Sequence, residues 1–157
     1  LARAVQVAAS VQATGSDRAP EELDSHICRR AVDRAYELSG IAPEDVSVVE
    51  VHDATAFAEL QQAELLRLCP MGEGGRLAAS GATALGGRIP INVSGGLESR
   101  GHPIGATGLA QVYELVSQLR GEAGARQVEG ARVALAENGG GFYGYEEAVA
   151  VITLLQR

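Results

Sequence analysis

Two histidines and one glutamate stand where this sequence can place chemistry. His102 lies in GGLESRGHPIGATG, Gly95 to Gly108, and glycine at such density lets backbone approach a ligand closely. Pro103 follows at the expected first turn of a helix, whose positive end favours a neutral imidazole over a charged one. A neutral ring can take a proton from a thiol or a carbon acid, and Gly101 and Gly105 leave room for that partner. His52 ends the apolar run VSVVEVH, where a histidine can hold a water or donate to an oxyanion. Glu137 directly precedes Asn138 and the glycines at 139–141, and a carboxyl buried at a strand end with a raised pKa can serve as general acid or base.

The elements that must carry these residues follow from the apolar periodicity. RAVQVAASVQA, VSVVEV, PINVSGG, ARVALAENGGG and EAVAVITLLQ read as strands. Three helices are expected between them. The first runs from Asp24 or Ser25 as N-cap to Gly40, with Ile27, Ala31, Ala35 and Leu38 as its apolar stripe. The second is TAFAELQQAELLRL, with Phe57, Leu60, Leu65 and Leu68 facing the core, and the third runs from Pro103 to Gly121. Met71 to Arg88 shows no periodicity and reads as a long loop. This order is α/β, with a mixed sheet covered by helices, and it gathers His52, the His102 loop and Glu137 at the carboxyl ends of strands, where ligands collect in such folds.

Length and composition narrow the function classes. The 157 residues suit one domain, 1–157, with no internal repeat or linker. A net charge of −7, with 13 scattered arginines and no lysine, argues against nucleic acid as partner. No run approaches the roughly 20 apolar residues that span a bilayer, and no signal peptide is visible, so a cytoplasmic protein is expected, with sequence missing before Leu1. Cys28 and Cys69 match no disulfide or zinc spacing and read as packing residues; no metal is expected.

GGLESRGHPIGATG resembles the GHPxGATG segment of thiolases, and VEVHDATAFAEL is similar to the HDxF segment of the sterol-carrier-protein-X and archaeal branch. LCPMGEGG, GGRIPINVSGGL and QLRGEAGARQVEGARVALAENGGG resemble that branch in order and spacing, so the likeness covers nearly the whole chain. It implies the C-terminal half of a thiolase, with a five-stranded mixed sheet and helices on both faces, acting on acyl-CoA with coenzyme A as substrate and no covalently bound cofactor. It further implies an N-terminal half carrying the nucleophilic cysteine, a homodimer or higher oligomer, and an OB-fold, zinc-ribbon partner protein. His102 then matches the base that activates that cysteine, and His52 matches the oxyanion-side residue. Gly101, Asn138, Gly139 and Gly140 fall among the substrate-binding positions.

The departure is AENGGG, where most thiolases have CxGGG and this branch has an HN form; Glu137 replaces the second acid–base group. Tyr143 and Tyr145 lie just beyond. The resemblance leaves three functions open: a thiolase-type acyltransferase, a CoA-ester retro-aldolase of steroid side chains, and a non-catalytic thiolase-like subunit. The pair of histidines favours the first.

Overall fold

Val133 to Gly140 (β3) is an inner strand of the sheet that carries the candidate glutamate. The computed structural model describes residues 3–157. Strand β1 spans Gln6–Thr14, α1 Ile27–Ser39, β2 Val48–Glu50, α2 Ala56–Leu65, α3 Gly74–Ala79, α4 Gly96–Arg100, α5 Thr107–Arg120 and β4 Val149–Gln156. The sheet runs β1-β4-β3-β2; β4 is antiparallel to β1 and β3, and β2 is parallel to β3.

Alternation along β3 separates two cores. Val133 and Leu135 pack with Ala31, Val32, Ala35 and Tyr36 of α1, while Ala134 and Ala136 face Leu115 and Leu119 of α5. Helices therefore cover both faces, as expected, and the small alanines let α5 lie close to the sheet.

The sheet has four strands rather than five. PINVSGG contributes only a bridge, Ile91 beside Val49, with Val49 N–H donating to Pro90 and Asn92 N–H donating to Val49. Pro90 has no N–H to extend the ladder, and Asn92 turns to φ 53, so pairing stops on either side of Ile91.

Three other expectations change. Met71 to Arg88 contains α3 rather than loop alone. The N-cap of α1 is His26, whose side chain accepts from the Cys28 N–H, while Gly40 ends the helix in the left-handed region at φ 69. Leu38 and Phe57 are 54% and 68% exposed, so neither belongs to a core stripe. No helix among the described residues is long and apolar enough to cross a membrane.

Candidate functional site

The loop holding His102 is tied to the segment holding His52 by a series of buried and partly buried bonds. Val51 N–H donates to Asn92 Oδ1 at 2.8 Å, and Asn92 Nδ2 donates to Glu59 Oε2 at 2.8 Å. Ser94 gives both its N–H and its hydroxyl to the buried Glu50 carboxyl, at 3.1 and 2.5 Å, and Arg100 lies 3.7 Å away. Asp53 accepts from Leu97 N–H at 2.9 Å, and Gly96 is needed because a Cβ there would stand 2.0 Å from the Asp53 carboxylate. The sequence HD thus pairs a histidine that faces outward with an aspartate that grips the opposite loop.

This stitching sets the two rings 4.9 Å apart, edge to face at 85°. Their hydrogen bonds assign opposite tautomers. Asn138 Nδ2 donates to Gln111 Oε1 at 3.1 Å and stands 3.2 Å from His52 Nδ1, which accepts, so neutral His52 carries its proton on Nε2. Thr107 directs its hydroxyl at the Pro103 carbonyl, 3.3 Å away, and its oxygen accepts from His102 Nδ1 at 2.6 Å. His102 Nε2 is then an open lone pair. Burial, followed by the charge His102 can carry, lowers the His52 pKa against a smaller opposing pull from Asp53, which keeps the ring neutral. Helix α5 begins at Thr107 rather than at Pro103, so Thr107 and not the helix end orients His102.

Both rings open on a cleft of ≈ 750 Å³, which Asn138, Gly139, Gly140, Phe57, Ile104, Phe142 and Tyr145 also line. Gly101 sits outside the cleft lining, at φ 90 as the C-cap of α4. Glu137 is fully buried behind the cleft wall; its Oε2 accepts from the His52 N–H at 2.9 Å and its Oε1 lies 3.8 Å from the Cys28 thiol. Burial raises its pKa to about 8 against the opposing His52 hydrogen bond, with further upward pushes from Glu147 and Asp53, so Glu137 is largely protonated at neutral pH.

Of the two carboxyl groups that line the cleft, Glu146 is held by Arg18 and the N–H groups of Ser16 and Ile27, which leaves Glu147, a residue that no motif in the sequence marks. Its side chain is 25% exposed, Gln62 Nε2 donates to its Oε1 at 3.3 Å, and its Oε2 lies 3.9 Å from Cys28 Sγ. A Cβ on Gly139 would meet Glu147 Cγ at 2.7 Å, so this glycine of the GGG run vacates the space that Glu147 crosses. Burial raises the Glu147 pKa, with Glu146 adding a push of the same sign. Glutamate beside a bare glycine strand was the available signal, and a second glutamate at 146 obscured it.

Glu137, Cys28 and Glu147 therefore form a row from the interior to the cleft. Burial first, then Glu137 and Glu147, holds the Cys28 thiol protonated, and burial does the same for Cys69, so neither has the environment of a nucleophile. His26 Nε2, Cys28 and Glu147 gather ligand atoms within 4.8 Å. His26 Nδ1 accepts the Cys28 N–H at 3.2 Å, however, so the neutral ring keeps its proton on Nε2 and offers that trio no lone pair for a metal.

Comparison with known proteins identifies the family. Residues 9–153 match the family described as "Thiolase C-terminal domain-like". The chain is 54% identical over 110 residues to sterol carrier protein 2 of Bos taurus, covering 70% of this chain and 20% of that protein. It is 45% identical over 142 residues to an acetyl-CoA acetyltransferase of Methanothermobacter thermautotrophicus, covering 87% of this chain and 37% of the relative. A benzoylsuccinyl-CoA thiolase subunit, BbsB of Thauera aromatica, is 40% identical over 144 residues, with 90% and 37% covered. The solved structure titled "Ltp2-ChsH2(DUF35) aldolase" superposes with a TM-score of 0.78 at 23% identity, over 97% of this chain and 39% of that one, which shows the shared fold. This chain thus spans between a fifth and two-fifths of the length of these relatives. The chain belongs to the thiolase family as a C-terminal domain, in the branch that holds sterol carrier protein 2 and the archaeal acetyl-CoA acetyltransferase.

Proposed function

We propose that this domain supplies one wall of a thiolase-type active site, which makes or cleaves a carbon–carbon bond beside a CoA thioester. The observation that carries this reading is the His52–His102 pair, 4.9 Å apart with opposed tautomers, opening on the cleft. A base and a hydrogen-bond donor side by side are what acyl transfer through a thiolate requires.

In the cleavage direction, His102 Nε2 takes the proton of a cysteine thiol that belongs to the rest of the polypeptide. The thiolate adds to the ketone of a β-ketoacyl-CoA, and His52 Nε2–H holds the oxyanion that forms. Collapse breaks the carbon–carbon bond, and its electron pair passes to the α-carbon of the departing acyl-CoA. That carbon takes a proton from Glu147, and Glu137, one step behind through Cys28, holds the proton that restores it. Incoming CoA gives its thiol proton to the depleted Glu147–Glu137 pair and carries the acyl group away, and His102 returns its proton to the departing cysteine. Asn138 and the Gly139–Gly140 backbone border the substrate. The apolar rim of Phe57, Ile104, Phe142 and Tyr145 suits the nucleophile-bearing half and a second copy of the protein as partners. A DUF35-type protein, named with the aldolase of like fold, is a further partner of the whole assembly.

One observation favours a second reading, the cysteine-free retro-aldolase: the titratable groups at the cleft are histidines and two carboxyls, Glu146 and Glu147, and Tyr145 adds a phenol. Burst-phase kinetics with a ketoacyl-CoA, on the full-length polypeptide, separate the two. A thiolase shows a burst of acylated enzyme, which His102→Ala abolishes and Glu147→Gln leaves in place while turnover falls by about 10² to 10⁴. Turnover without a thiol-dependent burst would give the retro-aldolase, and near-normal turnover in His102→Ala would overturn both.

A further inference from the structure

A second cavity, of ≈ 520 Å³, shares no lining residue with the histidine cleft. It lies between the start of α1 and the segment that joins α2 to α3, and Arg29, Arg67 and Arg88 converge on it, with Asp24 and Glu44 also on its wall. Arg29 is 4% exposed. Its Nη2 donates to the Met71 thioether at 3.0 Å, and its buried Nε has no partner. A thioether is a weak acceptor for a guanidinium.

The neighbouring arginines do not relieve this charge. Arg67 commits Nε and Nη2 to Asp33 at 2.5 and 2.7 Å, and Arg88 gives one N–H to the Leu68 carbonyl at 3.2 Å. Among the described residues, neither Arg29 nor Arg88 has a carboxylate oxygen within 4.0 Å. Burial, then repulsion from Arg67, lowers the Arg29 pKa, against weaker support from Asp33 and Asp24. Arginine nevertheless stays charged, and a buried unpaired charge asks for an anion.

We propose that this cavity binds a phosphate-bearing small molecule, whose phosphate oxygens accept from Arg29 and Arg88, the two arginines on its wall that have no carboxylate partner. Phosphate answers two unpaired guanidiniums better than a single carboxylate does, since it carries up to two charges and several acceptor oxygens in the geometry the guanidinium fork matches. The volume falls within the range of small-molecule sites, about 300 to 1,000 Å³, and leaves room for an organic group beside the phosphate.

The test is calorimetric titration and thermal unfolding with inorganic phosphate and pyrophosphate, with chloride at matched ionic strength as control. Phosphate is expected to bind saturably and raise Tm where chloride does not. Arg29→Met should weaken phosphate binding about tenfold or more, yet be no less stable than wild type without phosphate, because it replaces an unpaired charge by an apolar chain of similar reach. Arg88→Gln should weaken binding with little change in unliganded Tm. CoA forms a separate arm: competition between CoA and phosphate identifies the substrate's own phosphate, and phosphate binding without competition identifies a separate ligand. Equal shifts from phosphate and chloride would overturn the site, and so would wild-type phosphate affinity in Arg29→Met or Arg88→Gln.

Discussion

Glu146 shows what this chain does with a carboxylate that it buries charged. Its side chain has no exposed surface, Arg18 Nε donates to it at 2.5 Å, and the N–H groups of Ile27 and Ser16 add bonds at 2.9 and 2.8 Å. Burial alone would raise its pKa; the Arg18 bond and the two N–H groups together outweigh burial and hold it below the usual carboxylate value. Glu146 thereby pins the turn that carries Glu147 to the start of α1. Arg18→Ala removes the nearer of the two arginines on that buried charge and leaves Arg30, 3.7 Å away, and the two N–H groups to hold it, so urea unfolding at pH 7 should show a loss of up to about 3 kcal/mol. The same contribution is present above the unfolded carboxylate pKa and fades as pH falls through the lower folded value, so the Arg18→Ala deficit should shrink in acid. A deficit constant with pH would mean that lost packing and not charge accounts for it. His52 and His102 were legible as residues because each follows an element end. His26 was not, because a cap formed by a ring nitrogen leaves no period or motif in the sequence, and Glu147 left only the weak signal of a glutamate near the glycine run, since a side chain's reach across a hairpin has no period.

At the scale of elements, the cleft depends on two glycines that give way to carboxyl side chains. Gly96 combines φ +59 with a Cβ position 2.0 Å from Asp53, whereas Gly139 has ordinary backbone and a Cβ position 2.7 Å from Glu147 Cγ. Gly96→Ala should therefore destabilise more than Gly139→Ala, since it adds left-handed strain to crowding; each overpacked site costs about 1 to 3 kcal/mol before that strain. Gly139→Ala should also push Glu147 out of the cleft and, in the full-length protein, reproduce the turnover loss of Glu147→Gln. An alanine variant with wild-type turnover would separate Gly139 from the position of Glu147. The order of the four strands and of α1, α2 and α5 was readable from apolar periodicity, as were the Gly40 cap and the mixed sheet, whereas the short α3 and α4 were not. The missing fifth strand was not, because a left-handed Asn92 and one unpaired proline edge decide it. Nor was the start of α5, where Ala106 and Thr107 both donate to the Pro103 carbonyl and hold a turn ahead of the helix.

For the whole molecule, buried titratable groups set opposing limits on stability. His26, 3% exposed, has its pKa lowered from 6.5 to about 4 by burial and then by Arg18, against a pull from Glu146. The unfolded chain therefore binds the extra proton first, and stability falls as pH drops from 6.5 towards 4. Glu137, raised from 4.5 to about 8, and Glu50, raised from 4.5 to about 7 by burial against its Ser94 bonds, act in the other direction. Their unfolded forms lose protons first, so their contribution is complete below pH 4.5 and is lost as pH rises through the folded values, by up to about 1.4 kcal/mol per pH unit for each. The resulting profile is a dome with its fall towards alkali beginning unusually early. Glu137→Gln tests this assignment directly, since the amide accepts from the His52 N–H as the protonated acid does and has no proton to lose. Chemical unfolding at a series of pH values should show the variant close to wild type near pH 5 and progressively more stable than wild type from pH 6 to 8. A wild-type curve that runs parallel to that of the variant over the same range would show that Glu137 is charged in the fold, and would remove it as the proton store behind Glu147.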